Sequence, residues 1–469
     1  MHIQFFGACK TVTGSQHLIT AGKSKILLEC GFYQGRRQDM EEMNRNFPYN
    51  PADIDAVILS HAHIDHCGNL PNLVRQGFKG KIFCTHATKS LVAVMLEDSA
   101  NIQLHDIKYL NKKTGKNLEP IYEPDDVGPT LDLLQGCDYN EAIQIAPGIN
   151  AHFKDAGHVL GSALVTLEIE DESGRDTSTP HQSASVKIGF TGDLGRKFLP
   201  ILRDPEQITG IDYLISESTY GDRLHEGAAT SYKSLADAIN TTYDRGGKII
   251  IPSFALERAQ ELLYIIHELI NTKKIPPLFV YVDSPLTVKI SEIFSNYSNL
   301  VDKETKETFL SKNKNPFIFT TLRMIETVAD SKKLNQIKDA CIIISASGMC
   351  EFGRIRHHLK NNLGDARNTV IIVGFMAENT LGRRLLEGEK QVNILDEKIN
   401  VKADIVVLNS LSAHADQNDL ADFIEKASPL KKLFLVHGEE KAINTLKSKV
   451  SGGDIGEVVI PNKGDKFIL

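Results

Sequence analysis

The sequence predicts an α/β protein in which one domain is interrupted by a second. Three observations support this: short strand-like runs fill the first two hundred residues, strands alternate with helices in the middle, and strands return after about residue 395. We therefore expect a first domain at residues 1–221 that resumes at 395–469, and an inserted domain at 222–394.

The first part of the chain consists of β-type runs separated by glycine or polar residues. In chain order they include IQFFGA, HLITAG, SKILLEC, DAVILS, KIFCT, ALVTLEIE, SVKIGFTGD and DYLISEST, the last predicting a strand that ends at Glu217. A helix is predicted from near Asp65 through LPNLVRQG. The segment DESGRDTSTPHQSA, residues 171–184, predicts an exposed polar loop between two strands.

In the middle of the chain, each apolar run is followed by an amphipathic one. The pairs are GGKIIIPSF with LERAQELLYIIHELI, PPLFVYVDS with PLTVKISEIFSNY, ACIIISASGMC with EFGRIRHHLKNN, and NTVIIVGFMAENT with LGRRLLEG. This alternation predicts βα units and a mainly parallel sheet flanked by helices. ADIVVLNSLSAH, KLFLVHGE and GEVVIP then predict further strands, with a helix at LADFIEKA.

Composition narrows the class of protein only a little. The 469 residues are 41% hydrophobic with a net charge of −7, so the overall charge gives no sign of a nucleic-acid partner, although a local basic groove is compatible with it. Seven cysteines without a CxxC pair indicate reduced thiols. We see neither a signal peptide nor an apolar run of ~20 residues, and therefore expect a cytoplasmic protein.

The stretch HAHIDH, residues 61–66, gathers four metal-binding side chains at the end of an apolar run. His61 and His63 are two residues apart, so on an extended strand end they point the same way, and Asp65 and His66 follow where the chain turns into a helix. Zinc accepts both imidazole and carboxylate ligands. Three histidines and an aspartate at this spacing favour a metal site over ordinary polar residues.

Further candidate ligands occur singly at other strand ends. His158 lies in DAGHVLGS, Asp193 in GFTGDLG and His437 in LFLVHGE, each next to an apolar run and a glycine. Each is a weak signal alone. Together with HAHIDH they supply enough ligands for two ions that share a carboxylate.

The order of these motifs resembles the metallo-β-lactamase family. ESTYGD around Glu217, SAHAD around His414 and VHGE around His437 resemble the further motifs of its β-CASP branch. The resemblance covers nearly the whole chain. It implies an αββα sandwich interrupted by an inserted β-CASP domain with a mainly parallel sheet flanked by helices.

The resemblance also implies roles for individual residues. His61, His63 and His158 would hold one zinc ion, with Asp65, His66 and His437 holding the second and Asp193 bridging the two; similar ligands bind Mn²⁺ or Fe²⁺. Zinc would acidify a bridging water, which is the expected nucleophile. Asp65, as a ligand of one of these ions, is expected among the catalytic residues as well as among the metal ligands. His414 is the expected general acid, oriented by Glu217.

Glu29, in LLECG, departs from the family pattern, which usually has aspartate there. The resemblance implies that this position lies behind the metal ligands and accepts a hydrogen bond from a ligand histidine or the metal loop. Glutamate keeps the charge and is one methylene longer. We expect the ligand geometry to survive and turnover to fall.

The substrate implied by the resemblance is RNA. Family members with a histidine in VHGE resemble RNA-processing enzymes, and the opening GACKTVTGS and the length resemble compact prokaryotic relatives of the cleavage and polyadenylation nuclease subunit. RNase J, the other RNA-processing relative, is typically longer. We therefore expect mainly endonucleolytic hydrolysis of single-stranded RNA in processing or decay, leaving 5′-phosphate and 3′-hydroxyl ends, with 5′-to-3′ exonucleolytic action as an open alternative. The resemblance also implies a homodimer.

Two strand-to-helix turns in the inserted domain, SASGMCEFG and GFMAENTLGRR, are candidate phosphate contacts. Small residues there expose backbone N–H groups at a helix start, where anions bind. Glycine and serine are also routine in such turns, and arginines on helices usually face water. The candidate RNA contacts are Arg258, Ser347, Gly348, His357, Thr380 and Arg383.

Two alternatives of other classes stay open. One is a hydrolase of the same fold that acts on a non-RNA ester or thioester, for which residues 222–394 and His414 would have no evident use. The other is a non-catalytic RNA-binding subunit, a class in which the ligand set is eroded. Here every ligand position is filled, and Glu29 is the only feature that favours it.

Overall fold

The fold is described from a computed structural model of the chain. It describes residues 1–35, 37–170, 185–225, 227–312, 314–374, 376, 379–408 and 412–469, so the predicted polar loop at 171–184 lies outside the described residues. The chain forms two compact units. Unit 1 comprises Met1–Lys197, Asp204–Leu224 and His414–Leu469, and unit 2 comprises Phe198–Arg203 and His225–Ala413.

Unit 1 contains two seven-stranded sheets. The first has the strand order β22-β1-β2-β3-β4-β5-β6 and consists of β1 (His2–Phe5), β2 (His17–Ala21), β3 (Ser24–Leu28), β4 (Ala56–Ile58), β5 (Lys81–Thr85), β6 (Leu134–Cys137) and β22 (Lys466–Ile468). The second has the order β21-β20-β11-β10-β9-β8-β7 and consists of β7 (Ala142–Ala146), β8 (Ile149–Asp155), β9 (Ala163–Glu170), β10 (Ser185–Phe190), β11 (Tyr213–Ser216), β20 (Leu430–Leu435) and β21 (Ile455–Val459).

Helices of unit 1 flank these sheets. They are α1 (Arg37–Arg45), α2 (Ile64–Cys67), α3 (Leu70–Arg75), α4 (His86–Thr114), α5 (Val127–Asp132), α13 (Gln417–Ala427) and α14 (Glu440–Val450), with single 3₁₀ turns at Pro51–Asp53 and Pro124–Asp126.

The inner faces of the two sheets share one apolar core. Ile26 and Ile58 of the first sheet and Phe153 and Ile215 of the second are fully buried in it, and the rings of Phe5 and Phe434 lie 5.1 Å apart across it. A second core lies on the other face of the second sheet, where α13 and α14 cover it. Alternation of inward and outward residues along strands such as β8 produces these faces. The predicted two-sheet sandwich is confirmed.

The predicted single helix after HAHIDH is instead two short helices, α2 and α3. The amide of Asn69 donates to the carbonyl of Cys30 at 2.9 Å, and the carbonyl of Asp65 accepts from the amide of Ser15 at 2.9 Å. Both groups would otherwise bond within a continuous helix. Tertiary partners therefore interrupt the helix and fix the metal-binding stretch to two other loops.

Unit 2 is built on a six-stranded sheet with parallel pairing throughout. Its order is β14-β13-β15-β12-β16-β19, with β12 (Ile249–Pro252), β13 (Phe279–Val282), β14 (Leu322–Met324), β15 (Cys341–Ser345), β16 (Thr369–Val373) and β19 (Asp404–Leu408). A separate hairpin joins β17 (Gln391–Ile394) and β18 (Glu397–Asn400).

Seven helices are described in unit 2. They are α6 (Ala228–Asp244), α7 (Arg258–Asn271), α8 (Pro285–Asn296), α9 (Lys303–Thr308), α10 (Val328–Leu334), α11 (Ile355–Asn362) and α12 (Leu381–Leu386), with 3₁₀ turns at Ser298–Leu300 and Leu310–Lys312. The central strands are buried along their whole length, as expected for a parallel sheet with helices on both faces. The predicted alternation of strands and helices is confirmed. The domain boundaries at 221 and 394 stay a prediction; β19 pairs with β16 of unit 2.

Candidate metal centre

Several of the candidate site residues of unit 1 follow strands that have parallel neighbours. Glu29 and His61 follow β3 and β4, which are parallel neighbours in the first sheet. Asp193, Glu217 and His437 follow β10, β11 and β20, which are parallel neighbours in the second. Because the carboxyl ends of parallel strands meet at the same edge, residues distant in sequence come together there.

The first group of donors consists of three histidines and one aspartate. His63 Nδ1 lies 3.0 Å from His61 Nε2 and 3.3 Å from His158 Nε2. Asp193 Oδ2 lies 3.5 Å from both Nε2 atoms. A tetrahedral zinc ion with bonds of 2.0–2.1 Å holds its ligand atoms about 3.3–3.4 Å apart. The four donors therefore have the chemistry and the spacing that one such ion requires.

A second group of donors adjoins the first. His66 Nε2 lies 3.2 Å from His437 Nε2, and Asp65 Oδ2 lies 3.8 Å and 3.5 Å from those two nitrogens. The other oxygen of Asp193, Oδ1, lies 3.3 Å from His66 Nε2. The Asp193 carboxylate thus turns one oxygen to each group of histidines.

Three side chains behind the donors fix the imidazole rings. Glu29 is fully buried; its Oε1 accepts from the Ser60 amide at 2.7 Å, and its Oε2 lies 3.1 Å from His66 Nδ1. Ser60 Oγ lies 2.9 Å from His61 Nδ1. Thr219 Oγ1 lies 3.1 Å from His437 Nδ1. A partner on the remote ring nitrogen orients the other nitrogen as a ligand.

Sequence reasoning identified Glu29 and missed Ser60 and Thr219. Both stand inside motifs that attracted attention, ILSH and ESTYGD. The available signals were that Ser60 directly precedes the ligand His61 and that Thr219 stands two residues after Glu217. Serine and threonine are too common for that signal to stand alone.

The backbone around the donors is tightly constrained. Glu29 and His437 adopt left-handed conformations with φ of 64° and 49°, which non-glycine residues rarely adopt. At Gly195, two residues after Asp193, an added Cβ would lie 2.0 Å from the carbonyl oxygen of Gly157, next to His158. Only glycine lets these two loops approach so closely.

His414 and Glu217 form a pair beside the donors. His414 Nδ1 lies 3.1 Å and 3.2 Å from the two carboxylate oxygens of Glu217. Glu217 also accepts from the backbone amides of Leu194 at 2.6 Å and Thr219 at 3.3 Å. The other ring nitrogen, Nε2, lies 3.9 Å from Asp193 Oδ2, and 21% of the His414 side chain is exposed whereas Glu217 is buried. The ring is therefore held at one nitrogen and available at the other.

Burial and charge set the protonation of the centre before any cation binds. Burial lowers the pKa of His63 to about 4, which leaves its ring neutral and able to bind metal. Burial opposes the charged form of His414, but the carboxylates of Glu217 and Asp193 outweigh it and raise its pKa to about 9. Burial likewise opposes protonation of His66, yet Asp193 and Asp65 raise its pKa, so a cation that binds there must displace a proton.

The candidate RNA contacts lie in unit 2. Ser347, Gly348 and His357 occur between β15 and the end of α11, and Thr380 and Arg383 at the start of α12 after β16. Both turns follow carboxyl ends of strands in one parallel sheet, where α/β proteins bind ligands.

The surroundings of these candidates differ. Arg258 is buried and paired with Glu261, and Arg383 Nε donates to Glu387 at 2.6 Å, so both guanidinium groups have partners. Thr380 Oγ1 caps α12 by accepting from the Arg383 amide at 3.2 Å. His357 is exposed.

The surroundings of the SASGMCEFG turn include a closely packed ring. Ser347 Oγ accepts from the Phe352 amide at 3.3 Å. A Cβ on Gly348 would lie 2.7 Å from the Phe254 ring. The roles of all six candidates in RNA binding stay predictions.

Sequence comparison assigns the chain to a family. Residues 10–137 match the metallo-beta-lactamase superfamily, 259–385 the Beta-Casp domain, and 398–461 the Zn-dependent metallo-hydrolase RNA specificity domain. Ribonuclease TTHA0252 of Thermus thermophilus is 33% identical over 95% of this chain and 95% of its own length. The chain belongs to the β-CASP family of metallo-β-lactamase-fold hydrolases. The predicted family and fold class are thereby confirmed.

Other relatives of this β-CASP protein include an RNase J-like protein of Methanocaldococcus jannaschii, 33% identical over 93% of this chain and 92% of the relative. The transcription termination factor FttA of Methanosarcina mazei is 30% identical over 96% of this chain and 69% of its own length. A crystal structure of a protein of unknown function from Enterococcus faecalis V583 shares the fold, with a TM-score of 0.55 and 14% identity over 100% of this chain and 99% of that one. Among the described residues of this chain, no helix is long and apolar enough to cross a membrane.

Proposed function

We propose that this β-CASP protein is a two-metal ribonuclease that hydrolyses phosphodiester bonds of single-stranded RNA, mainly endonucleolytically, in RNA processing or decay. The observation that carries the proposal is the position of Asp193. Its two carboxylate oxygens face two separate groups of histidines. A carboxylate shared in this way is suited to two ions about 3.5–4 Å apart, the arrangement of many phosphodiesterases.

The two groups of donors suit zinc. His61, His63 and His158 would hold one ion, Asp65, His66 and His437 the other, and Asp193 both. Imidazole and carboxylate donors also bind Mn²⁺ and Fe²⁺, so the ligand types do not select zinc. The distances between the donor atoms are what favours it. Zinc agrees with the description of the family model that matches residues 398–461.

Two zinc ions, when bound, would supply an acidified water as nucleophile and stabilise charge on the phosphate. The remaining chemistry belongs to His414. Protonation of the leaving oxygen requires a charged imidazole within reach of the phosphate, and the Glu217 carboxylate, 3.1 Å from Nδ1, favours the charged form of the His414 ring. Glu217 holds Nδ1, so Nε2 is the nitrogen that donates the proton.

RNA as the substrate rests on the relatives. Two of them are named as a ribonuclease and an RNase J-like protein, and each aligns over more than nine-tenths of this chain. All seven ligand positions carry a metal-binding side chain, which favours an active enzyme over a non-catalytic RNA-binding subunit. A homodimer and a cytoplasmic location complete the proposal, and light scattering of the purified protein tests the former.

The test is cleavage of uncapped single-stranded RNA labelled at its 3′ end by the metal-loaded protein. We compare the wild type with His414→Ala and with His152→Ala, a partly exposed histidine of β8 outside the donor groups. Discrete internal fragments are expected, with the rate falling roughly 10²–10⁴-fold in His414→Ala because the leaving oxygen loses its acid. His152→Ala should cleave like the wild type.

Metal content and binding separate the possible failures. Equal cleavage by His414→Ala and the wild type would remove His414 from the chemistry. A wild type that holds two metal ions and binds RNA without cleaving it would support a non-catalytic subunit. If it neither binds nor cleaves RNA, small esters become the substrates to test.

A further inference from the structure

The long helix α4 of unit 1 has a basic and aromatic face over its last three turns. From His105, the residues at spacings of three and four recur along one side of the helix. This α4 stripe consists of His105, Lys108, Tyr109, Lys112 and Lys113, and all five residues are exposed. It extends ~12 Å along the helix axis at 1.5 Å per residue.

This end of α4 does not contribute to the apolar core. Ile107 is the last buried residue of the helix. Asn111 fixes the end of the helix: it accepts from the Leu118 amide at 2.8 Å and donates to the Leu118 carbonyl at 2.9 Å. The stripe is therefore held on a regular helix without a packing role for its side chains.

The lysines of the stripe have no acidic partners among the described residues. No salt bridge there involves Lys108, Lys112 or Lys113. Lys113 Nζ lies 5.7 Å from the centre of the Tyr109 ring, which is still 53% exposed. Lysines in a last turn stabilise the helix dipole, which accounts for Lys112 and Lys113 but not for Lys108 or the exposed ring.

Charge complementarity indicates the partner. The chain carries a net charge of −7, and yet this face presents three lysines without acidic partners beside an aromatic ring. Lysines bind phosphate groups, and an exposed ring stacks on an unpaired base. We propose that the α4 stripe binds single-stranded RNA, as a contact outside the metal centre that holds a substrate strand. The identity of the partner rests on the proposed function.

The test is RNA binding in a His414→Ala background, which prevents cleavage during the measurement. Fluorescence anisotropy of a labelled 20-nucleotide oligouridine gives the dissociation constant at several salt concentrations. The variants are Lys108→Ala/Lys112→Ala/Lys113→Ala and Tyr109→Ala. The matched control is Lys23→Ala/Lys79→Ala/Lys81→Ala, which removes three exposed lysines elsewhere in unit 1 and the same amount of charge.

The two stripe variants should differ in kind. Each lost phosphate contact reduces the slope of log affinity against log salt by about 0.7 for a single strand, so the triple variant should lose about 2 from the slope and bind more weakly. Tyr109→Ala should weaken binding roughly 5- to 100-fold, the usual effect of losing one stacked base, with the slope unchanged. The control should match its parent in affinity and in slope.

A thermal unfolding midpoint and a metal content equal to those of the parent protein would show that unit 1 is intact in the stripe variants. Equal affinity and slope in the triple variant and its parent would overturn the stripe proposal, and would leave the proposed function standing if the wild type cleaves RNA. A wild type that neither binds nor cleaves RNA would overturn both. Stripe-dependent binding to phosphatidylserine vesicles, with RNA binding unaffected, would assign the stripe to a membrane surface and also overturn the proposal.

Discussion

At the scale of the residue, Glu29 connects the backbone of the metal-binding stretch to one of its histidines. One carboxylate oxygen accepts from the Ser60 amide and the other faces His66 Nδ1. With φ at 64°, the position suits the shorter aspartate better than glutamate. The longer side chain nevertheless reaches both partners, so ligand orientation does not depend on the residue usual in the family.

Replacing Glu29 with glutamine should weaken metal binding. The amide can still accept from Ser60, but its NH₂ group cannot accept a hydrogen bond from His66, and the ring loses its orientation. We expect metal affinity to fall roughly 10–100-fold, measured by competition with a chelator of known affinity. Glu29→Asp keeps the charge and serves as the control; an affinity in Glu29→Gln equal to that of the wild type would show that Glu29 does not orient His66.

The residues of the site differ in how far the sequence reveals them. His158, Asp193 and His437 could be singled out because each stands at the end of an apolar run beside glycine. The pairing of His414 with Glu217 joins residues 197 positions apart, and no local pattern shows it. That role came from the family resemblance alone, and it stays a prediction until the variant is tested.

At the scale of the element, periodicity predicted most strands and helices, whereas tertiary contacts decided where they end. The break between α2 and α3 depends on bonds to Ser15 and Cys30, which lie in other loops. A buried hydrogen-bond network at the end of β13 could not be predicted from the sequence either, because it too depends on tertiary contacts. Asp283 follows the strand in YVDS, the same strand-end signature as Asp193, but its partners lie far along the chain.

The network around Asp283 should stabilise unit 2. The fully buried carboxylate accepts from His358 Nε2 at 2.6 Å, Arg354 Nη1 at 2.6 Å and Ser331 Oγ at 2.5 Å. Asp283→Ala leaves these donors without an acceptor and should reduce the free energy of unfolding by about 3–5 kcal/mol. The loss of stability is measured by denaturant unfolding, with hydrogen exchange of unit 2 peptides as the readout. Asp330→Ala, which removes an exposed ion pair with Lys333, is the control and should have little effect.

The same network predicts a pH dependence. Burial opposes the charged form of Asp283, but the bonds from His358, Ser331 and Arg354 outweigh it and hold its pKa below the ordinary value. A lowered pKa gives stability that is complete above the unfolded value of about 3.9 and is lost as the pH falls through the folded pKa. The difference in stability between wild type and Asp283→Ala should therefore shrink below about pH 4. A constant difference down to pH 2 would contradict this assignment.

At the scale of the whole molecule, the sequence predicted an interrupted domain and a parallel-sheet insertion, and both are present. The exact point at which the chain returns from unit 2 was not visible. The strand Asp404–Leu408 is apolar and, from its sequence, could extend a sheet of unit 1 or the sheet of unit 2. Its pairing with Thr369–Val373 places it in unit 2. Local patterns identify a strand but not its neighbour.

Removal of metal should loosen unit 1 selectively. The donors stand on four separate loops, at residues 61–66, 158, 193 and 437, and without a cation their histidines and carboxylates lose a common partner. After dialysis against a chelator, we expect faster hydrogen exchange in peptides around residues 57–67 and 430–440, with unit 2 unchanged. Zinc should restore the protection. Equal loosening of both units would argue against a metal centre confined to unit 1.

The interrupted order of unit 1 also has a consequence during translation. His414 and His437 are synthesised only after the whole segment 225–413 of unit 2, and β20, between them, pairs in register with β11. A nascent chain that already contains HAHIDH and Asp193 still lacks both its proton donor and its last ligand. On the proposed function, the enzyme stays inactive toward the messenger that encodes it until the ribosome has passed the codon of His437.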